Sequence, residues 1–269
     1  MLPESSSFQF IVLSDMTPTL RGRLRASGLH LISTLCVAAM AAAMVFFIWY
    51  PWPYSEVSGG VGLFVLVVGV DIVLGPALTL VIFDNRKRRA ELWRDMAVVV
   101  TMQLAGLAYG VHTVYIARPV VLALEGDRFR AVIAASVVEE ELPQAPEDLR
   151  TLSLSGPKLV NTRDAGQGDE KFDAIMAAAA GADLGMRPRY WLHWDDKARA
   201  DARKVGKPVT ELLSRRSAQA QAIQKAIART GRPIEQLIYI PMLARLTDWS
   251  VLLDKTTGDP VGFVPADGF

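Results

Sequence analysis

The sequence predicts a membrane protein in which three N-terminal transmembrane α-helices precede an external α+β domain. Three apolar runs, Leu29–Tyr50, Val57–Phe83 and Ala97–Ala117, each exceed the roughly 18 residues that suffice to cross a bilayer. Lys and Arg gather on alternate connections, and beyond Ala117 strand-like and helix-like periods follow one another in a mixed composition. Helices in water need only one apolar stripe, so runs apolar on every side point to lipid.

Residues 1–20 form an N-terminal extension. MLPESSSFQFIVLSD is unlike a basic lead-in, whereas Met16 begins one, MTPTLRGRLRASG, so Met16 is the expected start. A signal peptide is the rival for the first span. That run is too long, and no small-residue cleavage site comes before WYPWPY.

Orientation follows from the basic residues. Arg21, Arg23 and Arg25 precede the first span, and Arg86, Lys87, Arg88, Arg89 and Arg94 lie between the second and third. The intervening PWPYSEVSGG has no Lys or Arg. The N-terminus and second connection are therefore expected in the cytoplasm and everything after Ala117 outside, which for a bacterial inner membrane is the periplasm. Residues 21–117 then make a transmembrane domain with spans at about 29–50, 57–83 and 97–117, and 118–269 a periplasmic α+β domain. Trp49, Tyr50, Trp52 and Tyr54 would form an aromatic belt at the outer interface.

Within the external domain, VVLAL (120–124) and RFRAVI (128–133) read as a hairpin turned at Glu125-Gly126-Asp127. A polar stretch, Glu139 to Arg150, carries a short helix in APEDLR, and LSGPKLVNTR adds a strand. Phe172 to Ala182 is alanine-rich and helical, with Gly181 or Gly185 as its stop. Pro208 to Thr230 reads as one helix, its apolar residues recurring at three and four before Gly231 and Pro233. LIYIPMLA, WSVLLD and PVGFVP close the chain as strands, the last two joined by KTTGD. Strands, then helices, then strands indicate α+β rather than a regular βαβ series.

Catalytic signatures are missing: there is no phosphate-binding glycine loop, G-x-S-x-G, H-E-x-x-H or C-x-x-C. His30 and His112 fall near opposite membrane faces by this topology. A metal would have only His193 with Asp195 and Asp196, a group read as solvated surface. Glu139, Glu140 and Glu141 read likewise as a solvated face. The external domain balances 21 Lys plus Arg against 21 Asp plus Glu, so no basic field draws nucleic acid. Its lack of cysteine (Cys36 lies in the first span) rules out a disulfide staple. Enzyme activity, cofactors and metals are not expected.

The informative chemistry lies in the second span. Asp71 is its single charge, near mid-depth, where a carboxylate costs about 2.5–3.5 kcal/mol. Gly75-Pro76 follows, removing a backbone donor and clashing with the carbonyl of Ile72, so a kink is expected. Tyr109 lies at similar depth on the third span and could donate to Asp71, with Gln103 deeper toward the cytoplasm. Gly106 and Gly110 form a G-x-x-x-G face for close helix approach. Three uses fit: polar glue between the second and third spans, a groove for a partner's transmembrane helix, or a proton or ion pathway. The last is weakened because no relay of ionisable groups joins His30 to His112.

GVDIVLGPALTLVIF, the basic connection and QLAGLAYGVHTVYIARPV, with EGDRFRAV and the closing PVGFVPADGF, resemble the type IV pilin accessory proteins of the TfpX/TfpZ kind. The resemblance runs from about Arg21 to Phe269. It marks Gly69, Asp71, Gly75, Pro76, Tyr109 and Gly110 in the spans and Arg118 and Pro119 at the periplasmic junction. It implies a non-enzymatic inner-membrane factor that assists pilin stabilisation or pilus assembly, with a type IV pilin subunit and other assembly components as partners. The competing expectation is a membrane-anchored periplasmic enzyme or sensor binding a small ligand.

Overall fold

The apolar runs are helical. The computed structural model describes residues 18–84, 86–245 and 249–269; the expected start at Met16 lies outside the described residues. Helix α1 (Pro18–Met44) continues through a π-helical turn at Val45–Trp49, and a short α2 (Tyr54–Val57) leads into α3 (Gly60–Ile82) and α4 (Arg89–Ile116). By length and composition three helices could cross a membrane. At 1.5 Å per residue even α3 reaches about 34 Å, beyond the ~30 Å hydrocarbon core. Their outer surfaces are apolar, Phe47 being 85% and Val81 71% exposed, a surface that water would not tolerate. Helix α3 runs through Pro76 from Gly60 to Ile82 as one element, so the proline does not end it.

The chain divides into two compact units, Met1–Ala41 with Val65–Val111, and Ala42–Phe64 with His112–Phe269. The second is built on a mixed sheet. Its strands are β1 (Pro119–Glu125), β2 (Arg128–Ile133), β3 (Lys158–Thr162), β4 (Trp191–His193), β5 (Lys207–Pro208), β6 (Leu237–Leu243), β7 (Trp249–Asp254) and β8 (Pro260–Val264). The order is β4-β3-β1-β2-β6-β7-β8, with β5 added against β6. Most neighbours are antiparallel, but β1 runs parallel to β3 and β2 to β6. The strands alternate cleanly. Leu122, Leu124, Ile238, Ile240, Val251 and Leu253 share one core cluster, while Val121 and Ala123, and separately Tyr239 and Leu252, belong to two others. Both faces are therefore covered, which is why every residue of β1 is buried. The expected hairpin forms, with Gly126 at φ 65° in its turn. So does the KTTGD hairpin, where Asp254 Oδ1 accepts from the amides of Thr256 and Thr257, both at 2.7 Å.

Three expectations are corrected. Tyr50 and Tyr54 are not an interfacial belt: Tyr50 is fully buried, its hydroxyl donating to the Val114 carbonyl at 2.8 Å, and Tyr54 packs in the sheet core. Burial pushes the Tyr54 phenol well above its ordinary pKa. The alanine-rich helix forms as α5 (Asp169–Ala179) and is followed by α6 (Asp196–Val205), but the helix read from Pro208 to Thr230 is broken into α7 (Val209–Arg215) and α8 (Ala220–Thr230). Between them Arg216 turns away and its Nε donates to the Asp267 carbonyl at 2.8 Å, tying down the C-terminal tail. Finally, Glu141 is 4% exposed rather than solvated, and accepts from Arg187 Nε at 3.0 Å and Nη2 at 2.8 Å. That bond raises the Arg187 guanidinium above its usual value, against the opposing effect of its own burial.

The acidic group near His193 is also accounted for locally. Asp195 caps α6 (Asp196–Val205), accepting from the Ala198 amide at 2.9 Å, and His193 Nε2 lies 2.7 Å from Asp148.

Candidate functional site

Close approach of α3 and α4 starts from glycine. A Cβ on Gly110 would lie 2.8 Å from Val67 Cγ2 and 2.9 Å from its Cβ, so only glycine fits there. On the facing helix, a Cβ on Gly75 would lie 2.7 Å from Gln103 Cδ. The missing side chain lets Gln103 reach across. Its Nε2 donates to the Asp71 carbonyl at 3.3 Å, and its Oε1 lies 2.5 Å from His30 Nε2. The other imidazole nitrogen lies 2.5 Å from Thr79 Oγ1, and Thr79 is 1% exposed. With the amide nitrogen donating to backbone, the amide oxygen must accept, so Nε2 of His30 carries the proton and Nδ1 accepts from the threonine hydroxyl. A further bond, Ser27 Oγ to the Pro76 carbonyl at 2.8 Å, ties α1 to the Gly-Pro step. Polar groups from three helices thus satisfy one another around the defect in α3.

Beside this seam lies a groove of about 440 Å³ lined by all three helices, among them Leu29 and Ala38 of α1, Val68 and Asp71 of α3, and Gln103 and Leu104 of α4. Leu29 is 67% and Leu104 60% exposed, so its rim is open. The Asp71 carboxyl has no hydrogen-bond partner among the described residues. A Cβ on Gly106 would stand 3.6 Å from its Oδ1, an ordinary contact.

Of the residues singled out from sequence, Asp71 lines the groove, Gly75 lies against the Gln103 side chain and Gly106 approaches Asp71 Oδ1. Gly110 is buried against Val67 behind it, Pro76 is bonded by Ser27, and Gly69 is exposed with open space beside it. Tyr109 is 75% exposed. Arg118 and Pro119 belong to the second unit. Arg118 is 4% exposed, donates from Nη1 to the Tyr115 carbonyl at 2.8 Å and from Nε to that of Ser153 at 3.0 Å, and stacks on the Tyr115 ring. It thereby caps the Tyr115 carbonyl and ties it to Ser153 within the second unit.

The sequence reading missed the joint role of Ser27, His30 and Thr79. A signal existed: Ser27, His30 and Thr34 recur at three and four within an apolar run, placing polar groups on one face. Gly75→Ala is expected to push Gln103 aside and cost about 1–2 kcal/mol of stability through the lost interhelical bonds. In a Gln103→Ala background the same substitution should cost almost nothing, which a double-mutant cycle on the detergent-purified protein checks.

Three candidate spans, a polar seam with a groove beside it, and an appended mixed-sheet domain define a multi-helix, membrane-associated protein. Residues 18–59 match the family model described as the fimbrial assembly protein FimB. The chain is 32% identical over 233 residues, 86% of its own length and 90% of the relative's, to the fimbrial assembly protein of serogroup I from Dichelobacter nodosus. It is 31% identical, with the same coverage, to the serogroup E1 protein of that organism, and 38% identical over 121 residues to that of serogroups C1 and C2, covering 45% of this chain and 92% of the relative. The chain belongs to the FimB fimbrial assembly protein family. No solved structure matches it.

Proposed function

We propose that this protein is a non-enzymatic inner-membrane accessory factor of type IV fimbrial assembly, whose groove receives the transmembrane helix of a pilin subunit before polymerisation. The N-terminus lies in the cytoplasm and residues 118–269 in the periplasm beside the pilin head, as the distribution of Lys and Arg favours. The observation that carries the reading is the open groove between three long apolar helices, lined by an Asp71 carboxyl that has no partner among the described residues, in a chain whose relatives are fimbrial assembly proteins. A carboxyl there costs free energy unless something covers it, and the groove has the lateral opening a helix needs. The resemblance to the TfpX/TfpZ accessory proteins, if it holds for this chain, would imply the same role.

A photo-crosslinking amino acid placed at Leu104, on the rim of the groove, is expected to trap pilin in native membranes. The same probe at Val81, on an exposed apolar face, is expected to trap lipid only. Equal pilin yields at the two positions, or none at Leu104, would refute the groove as the docking site.

A further inference from the structure

The groove also states what its occupant has to carry. His30, Thr79 and Gln103 spend their polar atoms on one another or on backbone, and Ser33 donates to the Leu29 carbonyl at 3.0 Å. Among the described residues the Asp71 carboxyl meets neither a donor nor a counter-charge, and none of those that line the groove is a Lys or Arg. Covering that carboxyl with a wholly apolar helix would strip its remaining solvation and return nothing. A cation at the same depth reverses the balance, because each charge is costly alone and the two relieve each other.

Resting on the groove as the docking site, we infer that Asp71 recognises a cationic group, an ammonium or guanidinium, on the docked helix. Helices of equal hydrophobicity that lack such a group are then rejected. The carboxylate thus selects the partner, while Gly75 and Gln103 hold the floor in which it sits.

The test uses the full-length protein in native membranes with the photo-crosslinker at Leu104 and pilin expressed in the same cells. Asp71→Asn keeps the shape and a neutral hydrogen-bonding group but removes the charge. It is expected to cut the pilin adduct roughly tenfold or more, the difference between charge-assisted and neutral bonding. Asp71→Glu should retain most of the adduct, and its unchanged accumulation in the membrane controls for folding. Peptide mapping of the adduct should find a basic side chain or free amine within about one helical turn of the trapped position. Wild-type yield from Asp71→Asn, or a trapped helix with no cation at that depth, overturns the inference and leaves the docking groove standing. An adduct at twice the chain's own mass also overturns it, since the occupant is then a second copy. Absence of any adduct in the wild type refutes the groove itself.

Discussion

Gly110→Leu is expected to disrupt the membrane unit itself. The approach of α4 to α3 at this point leaves no room for even one carbon beside Val67, whose β-carbon would be met at 2.9 Å. Valine's branch point cannot swing aside, so the helices would have to part. Overpacking of this kind costs about 1–3 kcal/mol, and separation would also pull Gln103 out of reach of His30. The protein should accumulate poorly and melt at a lower temperature in detergent. Gly69→Leu, at an exposed glycine with open space, should leave the melt unchanged. Equal effects from the two substitutions would contradict the packing described here.

Arg187→Leu should be the most damaging single change in the sheet domain. The Arg187 and Glu141 side chains are 8% and 5% exposed, and Glu141 Oε1 takes both guanidinium bonds. Arg189 Nε comes within 2.7 Å of the same oxygen without the alignment of a hydrogen bond, so it offers charge but little directional bonding. Removing Arg187 strands a buried carboxylate, at about 3–5 kcal/mol. The Glu141→Leu, Arg187→Leu double variant should recover most of that loss, because an apolar pair needs no solvation and the half-exposed Arg189 can turn to water. Thermal unfolding of the three proteins decides the matter: a double variant no better than Arg187→Leu would mean that the pair supports more than its own burial.

Glu141 also shows where local reading ends. Three consecutive glutamates are indistinguishable by composition, yet one is turned inward by a short 3₁₀ segment onto an arginine 46 positions later. The same holds for the helix expected across Pro208–Thr230. Its apolar period continues through the break, and the interruption comes from Arg216 bonding the tail at Asp267. In the groove, Asp71 was conspicuous because a lone charge in an apolar run needs no partner to be noticed. The bonding role of His30 is not legible in the same way, because it depends on Thr79 and Gln103, 49 and 73 residues away.

The sequence by itself determined the three long helices, the two hairpins of the sheet domain and the costly acid in the second span. These follow from periodicity, turn chemistry and transfer free energy, all of which act over a few neighbouring residues. Only the tertiary structure decided that Gly75 serves Gln103, that Tyr54 and Glu141 are buried, and that Asp71 faces an open groove. Hydrogen bonds and packing between distant segments depend on which helices and strands meet, and no local window of sequence contains that information.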